Sequence, residues 1–180
     1  MNRLMKMLLA LAITGLLAAQ PAMAADEHVL DQDAAAALKS LYSNHSGAKA
    51  LGDKAIGILV FPNITKAGFI LGAQGGAGTL FEKGKITGHY HAGALSVGMQ
   101  AGVQTYGYAL FFMAAPDLAY LKKTSGWSLG VGPSIVVADA GFGKDLSTLT
   151  GQKGVYAFIF DQSGLMAGMG LVGQKISVLK

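Results

Sequence analysis

Apolar and polar positions follow two different periods along this chain. Over residues 30–45, Leu30, Ala34, Leu38, Leu41 and Tyr42 recur at the three- and four-residue spacings that stack on one helical face. Ala34, Ala35, Ala36 and Ala37 are strong helix formers, Asp31 or Asp33 is placed to cap the start, and Asn44 and Gly47 mark the end. A second, shorter helical turn is predicted over 48–54. From Ala55 the helical period gives way to short apolar runs. Residues 56–61 read as a buried strand stopped by Pro62, and 68–74 as a strand leading into the glycine cluster Gly75, Gly76 and Gly78. Residues 79–83 and 85–90 flank Gly84 as the arms of a hairpin do. Further strands are predicted over 94–99, 102–112, 127–137, 155–160, 165–172 and 175–179, with a turn at Gln162, Ser163 and Gly164. Residues 116–123 are predicted as a helix, with Pro116 in its first turn and Lys122 and Lys123 at its end.

Short strands about 10 residues apart, punctuated by glycine, imply an α+β, mainly β fold: a glycine-rich antiparallel sandwich or partial barrel with an N-terminal helix and one further short helix. Glycine inside a strand costs chain entropy, so its density here implies close packing or curvature. With no linker visible, residues 25–180 form one domain.

The start of the chain has another character. Arg3 and Lys6 precede an almost wholly apolar run over 8–19, then Pro21 breaks any helix, and Ala22-Met23-Ala24 supplies small residues. This is the layout of a secretory signal peptide, residues 1–24, cleaved after Ala24. The run is too short to span a bilayer, which takes about 20 residues. The expected destination is the periplasm or the exterior, with possible peripheral attachment to the envelope membranes. There is no cysteine, which excludes thiol catalysis, Cys-ligated zinc and an acylated lipoprotein anchor. Of the 14 lysines and arginines the leader takes two, leaving 12 cations against 10 acids and a net charge of +2. That is too weak a balance to indicate nucleic acid.

Motifs that carry chemistry are sparse. Gly168-Met169-Gly170-Leu171-Val172-Gly173 matches the dinucleotide fingerprint by letter, but that motif works only between a strand and a helix, and none follows; it reads as strand. Gly84-Lys85 and Gly143-Lys144 lack the flanking residues of a P-loop. His89 and His91 would share one face of a strand, which can begin a metal site, yet spacing indicates no third ligand, and solvent-facing histidines are the favoured reading. Asp139 is a lone acid beside an apolar run, without an evident partner base. Tyr106, Tyr108, Phe111, Phe112 and Trp127 read as core rather than as a ligand wall. No constellation supports an enzyme, and no cofactor or metal is implied.

Several stretches together resemble the SYLF domain family, also described as the Ysc84-type actin-binding or DUF500 domain. They are residues 55–62, Lys66-Ala67-Gly68-Phe69 with the glycines up to Gly78, residues 96–102 and 106–113, Gly130-Val131-Gly132-Pro133-Ser134, and residues 155–158 with 164–168. The resemblance implies lipid binding without catalysis, and its bacterial exported members are bare domains behind a signal peptide. Neither actin nor phosphoinositide specificity is carried over. The expected partner is anionic phospholipid or a membrane surface, met by the amphipathic helix 30–45 and by Lys39, Lys49, Lys54 and Lys66. Lys66 ranks first among these because it sits within a family-like stretch. A periplasmic protein-interaction module using a sheet edge is the alternative. A small outer-membrane barrel fits the predicted helices and the terminal Lys180 poorly.

Overall fold

The computed structural model describes residues 20–68, 71–97, 102–123, 126–138, 154–164 and 173–179. Helices α1 (Gln20–Asn44) and α2 (Ser46–Gly52) lead into four long strands, β1 (Gly57–Gly68), β2 (Leu71–Glu82), β3 (Lys85–Val97) and β4 (Gly102–Phe112). Helix α3 (Ala115–Lys123) follows, then β5 (Trp127–Ser128), β6 (Ile135–Ala138), β7 (Val155–Gly164) and β8 (Lys175–Val178). The strands form one eight-stranded sheet in the order β5-β8-β3-β2-β1-β4-β7-β6. Every pairing is antiparallel except β6 with β7, so the sheet is mixed rather than antiparallel throughout. The partial barrel is the form realised: a single sheet curled on itself, with helices added.

Connectivity shows why it must curl. β5 and β6 occupy opposite edges, and laid flat they would be about 34 Å apart, seven spacings of ~4.8 Å. Yet Leu129 N–H donates to Gln174 O (2.7 Å) beside β8, while Ser134 O accepts from Val155 N–H (2.9 Å) beside β7. Five Cα steps between Leu129 and Ser134 reach at most ~19 Å. This strap is fastened by the Trp127 indole, whose Nε1–H donates to Val131 O at 2.9 Å.

Two bulges beside β4 contribute to the bend. β1 was expected to stop at Pro62 but runs on to Gly68. Phe61 pairs with Tyr108 and Ile64 with Tyr106, so β1 uses three steps where β4 uses two. Pro62 falls in the extra residues, where the ladder does not need its missing N–H. The turn expected at 162–164 is a second bulge within β7. Gly107 pairs with Phe160 and Thr105 with Ser163, and Asp161 takes a left-handed φ of 51°. Bulges increase local twist, and this pair flanks the same stretch of β4.

Other boundaries differ for related reasons. β2 runs through the glycine cluster because Gly76 and Gly78 make room for large neighbours. A Cβ on Gly76 would lie 2.3 Å from Asn63 O and 2.8 Å from Ile64 Cδ1, and one on Gly78 would lie 2.6 Å from Phe61 Cδ1. The segments expected at 85–90 and 94–99 join as β3, and the strand expected over 127–137 divides into β5 and β6 around the strap. The segment 165–172, most of the 168–173 glycine motif and Asp139 lie outside the described residues. Pro21, expected to break any helix, lies within α1 as its second residue, where a missing N–H is tolerated.

Both faces of the central strands are buried. Along β1 and β4, Leu59, Phe61, Ile64, Tyr106, Tyr108, Leu110 and Phe112 point to the inside of the curl, where Trp127, Leu118 and Leu121 of α3 and Ile176 join them. The alternate residues Ile58, Val60, Ala109, Phe111, Tyr156, Phe158 and Phe160 meet Ala34, Leu41, Ala48 and Leu51 of α1 and α2 on the outside. Double burial explains the unbroken apolar runs. Asp31 does not cap α1; its Oδ1 accepts from Thr79 Oγ1 (2.9 Å) and lies 2.8 Å from His89 Nε2, pinning mid-helix to β2 and β3. No helix among the described residues is long and apolar enough to cross a membrane.

Candidate functional site

Helix α1 carries a second stripe beside the one that packs on the sheet. Ala35, Leu38, Lys39 and Tyr42, at i, i+3, i+4 and i+7, face a cleft of about 410 Å³. Its floor is Ile58 and Phe81, Gly52 at the end of α2 and Ala55 just after it line it, and Lys83 and Gly84 of the β2–β3 turn close one end. Lys83 (φ 49°) and Gly84 (φ 75°) are both left-handed, as a two-residue type I′ hairpin turn requires. The turn therefore fixes where the Lys83 side chain leaves the sheet. Tyr42 is wedged against α2 so closely that a Cβ on Gly52 would lie 2.1 Å from its Oη. Burial, and then the nearby Asp53 carboxylate, push its phenol up to about 12.

The charges around this cleft are unevenly matched. Lys49 Nζ meets both carboxylate oxygens of Asp53, at 2.7 and 2.9 Å, and lies 5.8 Å from the centre of the Tyr42 ring. Glu82 is partly buried, but hydrogen bonds from Lys122 and Thr87 and the charge of Lys122 hold its carboxyl below the ordinary value; its ion pair with Lys122 is 2.6 Å. Asp53 beside the cleft, and Glu82 on the other face of β2, thus each have their own cation. Lys39 and Lys83 are exposed and ion-paired with no described residue. The result is an apolar trough lined by two lysines that no described acid neutralises.

Of the four lysines singled out in the sequence, Lys39 lines the cleft and Lys49 borders it through Tyr42. Lys54 is exposed and is not among the residues lining this cleft. Lys66 is the correction: it is 7 % exposed and faces the inside of the curl, so it cannot form part of an outer basic surface. It stands in register with Gln74 on β2 and Gln104 on β4. Next to this row, Tyr108 Oη donates to Gln174 Oε1 (3.1 Å), Gln174 Nε2 donates to Tyr106 Oη (3.0 Å), and Tyr106 Oη donates to Gln74 Oε1 (3.1 Å). The chain of hydrogen bonds ties the approach to β8 onto β4 and β2. Its tyrosines are raised in pKa by burial, Tyr108 well above the ordinary value.

Of the two histidines, His91 faces solvent as expected and His89 departs from that reading. His89 is bound to Asp31 under α1, while His91 is exposed. Among the described residues, no three His, Cys, Asp or Glu side chains gather as a metal site. Tyr106, Tyr108, Phe111, Phe112 and Trp127 are all core, as their alternation implied. Lys83 escaped the sequence reading because only folding brings it beside Lys39. The cue was local, an α1 stripe at 35, 38, 39 and 42 left over once 34 and 41 are assigned to the sheet. No protein-family model matches this chain, and no curated protein matches it.

Proposed function

We propose that this chain is a non-enzymatic domain of the bacterial cell envelope that binds anionic phospholipid, docking reversibly on a membrane surface after export. The observation that carries this reading is the cleft under α1, where Lys39 and Lys83 overhang an apolar floor of Leu38, Ile58 and Phe81. The headgroup lies against the two ammonium groups and acyl carbon enters the trough. Each cation near an anionic surface contributes about 1 kcal/mol, screened by salt, so attachment is reversible. The resemblance to SYLF domains points the same way, but the site is the stronger support. Co-sedimentation with vesicles tests it: binding to phosphatidylglycerol-containing vesicles at low salt, with little to pure phosphatidylcholine, is expected. Equal and negligible binding to both would end the proposal.

A second reading, a protein-interaction module, has a different observation behind it. Leu95, Ala73, Ala67 and Val103 stand in register across β3, β2, β1 and β4 on the outer face of the sheet, with Leu95 89 % and Val103 60 % exposed. If a protein partner rather than lipid is the ligand, Leu95→Asp abolishes that association, and vesicles bind neither form.

A further inference from the structure

The proposed lipid site has a size, and size selects among lipids. At about 410 Å³ the cleft is at the small end of small-molecule sites, which run ~300–1,000 Å³. Each chain of a diacyl lipid spans about half of a ~30 Å hydrocarbon core, so a single chain already fills such a volume. Its walls cannot readily widen. α1 is pinned by Asp31 to Thr79 and His89, Tyr42 is wedged on Gly52, and the opposite end is a two-residue turn. Polar groups are sparse along the trough, where Ala35, Leu38, Ala55, Ile58 and Phe81 leave the hydroxyl of Tyr42 and the two lysine heads as the side-chain polar atoms.

We infer that the cleft holds one single-chain anionic amphiphile per domain, its alkyl chain along Leu38, Ile58 and Phe81 and its head between Lys39 and Lys83. This rests on the lipid-binding reading and narrows it. The domain accommodates one chain with one negative head, a fatty acid or a lysophospholipid, and excludes a second chain. The two sources share this chemistry and differ in the head, carboxylate or phosphodiester.

Isothermal titration of the full chain tests it with three probes below their micellar concentrations: sodium laurate, lauroyl-lysophosphatidylglycerol, and dodecyltrimethylammonium as a cation with the same chain. The inference expects saturation at one equivalent by at least one of the two anions, with the cation at least tenfold weaker. Laurate alone identifies a carboxylate site, and the lysolipid alone a phosphodiester site. Lys39→Gln/Lys83→Gln, both surface changes that leave folding intact, should weaken the anion about 30-fold, two charges at about 1 kcal/mol each. Leu38→Gln, in the trough wall, should weaken laurate and dodecyltrimethylammonium alike. If neither anion saturates at one equivalent while phosphatidylglycerol vesicles still bind, the single-chain inference falls and the membrane-docking proposal stands. Failure of vesicles and amphiphiles together sinks both.

Discussion

Neutralising Lys39 and Lys83 together, as Lys39→Gln/Lys83→Gln, should weaken binding to anionic vesicles while leaving the fold intact. Both side chains are exposed and neither is ion-paired with a described residue, so their loss strands no buried partner. At about 1 kcal/mol per cation near an anionic surface, the pair contributes about 2 kcal/mol, or about 30-fold in Kd. Vesicle titration at about 0.1 M salt, where the Debye length is ~10 Å, should reveal that ratio. At 1 M, with ~3 Å, wild type and variant should converge to within about threefold. Two controls make the result specific. Lys66→Gln removes an equal charge from the inner face, and whatever folded protein remains should bind within about twofold of wild type. Lys49→Gln strips Asp53 of its bidentate partner and leaves a bare carboxylate beside the cleft; it should weaken binding, and Lys49→Gln/Asp53→Asn should restore it. If Lys66→Gln weakens binding as much as the double variant does, or the double variant binds like wild type at low salt, the assignment of the site is refuted.

Other outcomes follow from the packing. Gly76→Ala places a methyl 2.3 Å from a backbone oxygen at the Pro62 bulge, which no rotamer can relieve, and should cost about 1–3 kcal/mol in chemical denaturation; unchanged stability would contradict the described bulge. Asp31→Ala removes the acceptor shared by Thr79 and His89 and should cost about 1–3 kcal/mol, with amide exchange in α1 accelerating first. In alkali, Tyr42, Tyr90, Tyr106 and Tyr108, four of the six tyrosines, should ionise later than free tyrosine, as followed by phenolate absorbance. Folding raises these pKa values, so the unfolded chain loses protons first. Stability should be undiminished below pH 10 and fall as pH climbs through 10 towards 12, and Tyr42→Phe should remove part of that fall. A melting temperature constant from pH 9 to 12 would show these phenols to be open to solvent.

The elements most legible in the sequence were those where local pattern and tertiary environment agree. The α1 face of Ala34 and Leu41, the hairpin about Gly84, β4 and the proline-started α3 all came from spacing and turn chemistry. Where tertiary packing overrides a local rule, the reading failed. Pro62 and the polar run after Asp161 look like strand ends, yet bulges absorb both. Glycines that look like breaks in β2 are the spaces filled by Phe61 and Ile64. Lys66 was misplaced although the alternation was available: it sits two positions from Ile64 and so shares that residue's inward face. The cleft was only half legible, because Lys39 and Lys83 are joined by docking and not by sequence.

The placement of β8 sets an order on assembly. The most C-terminal strand lies between β5 and β3, so Trp127 and Ser128 have no neighbour to pair with until Lys175 and Ile176 arrive. β1 to β4 can zip as a meander while the chain emerges, but the seam closes last, through contacts as distant as Tyr108 with Gln174. Until then one flank of β3 stays open, a template for pairing with other chains, and a holdase would shield it. Pulse-labelled hydrogen exchange during refolding should find the amides of β8 protected after those of β1, β2 and β4.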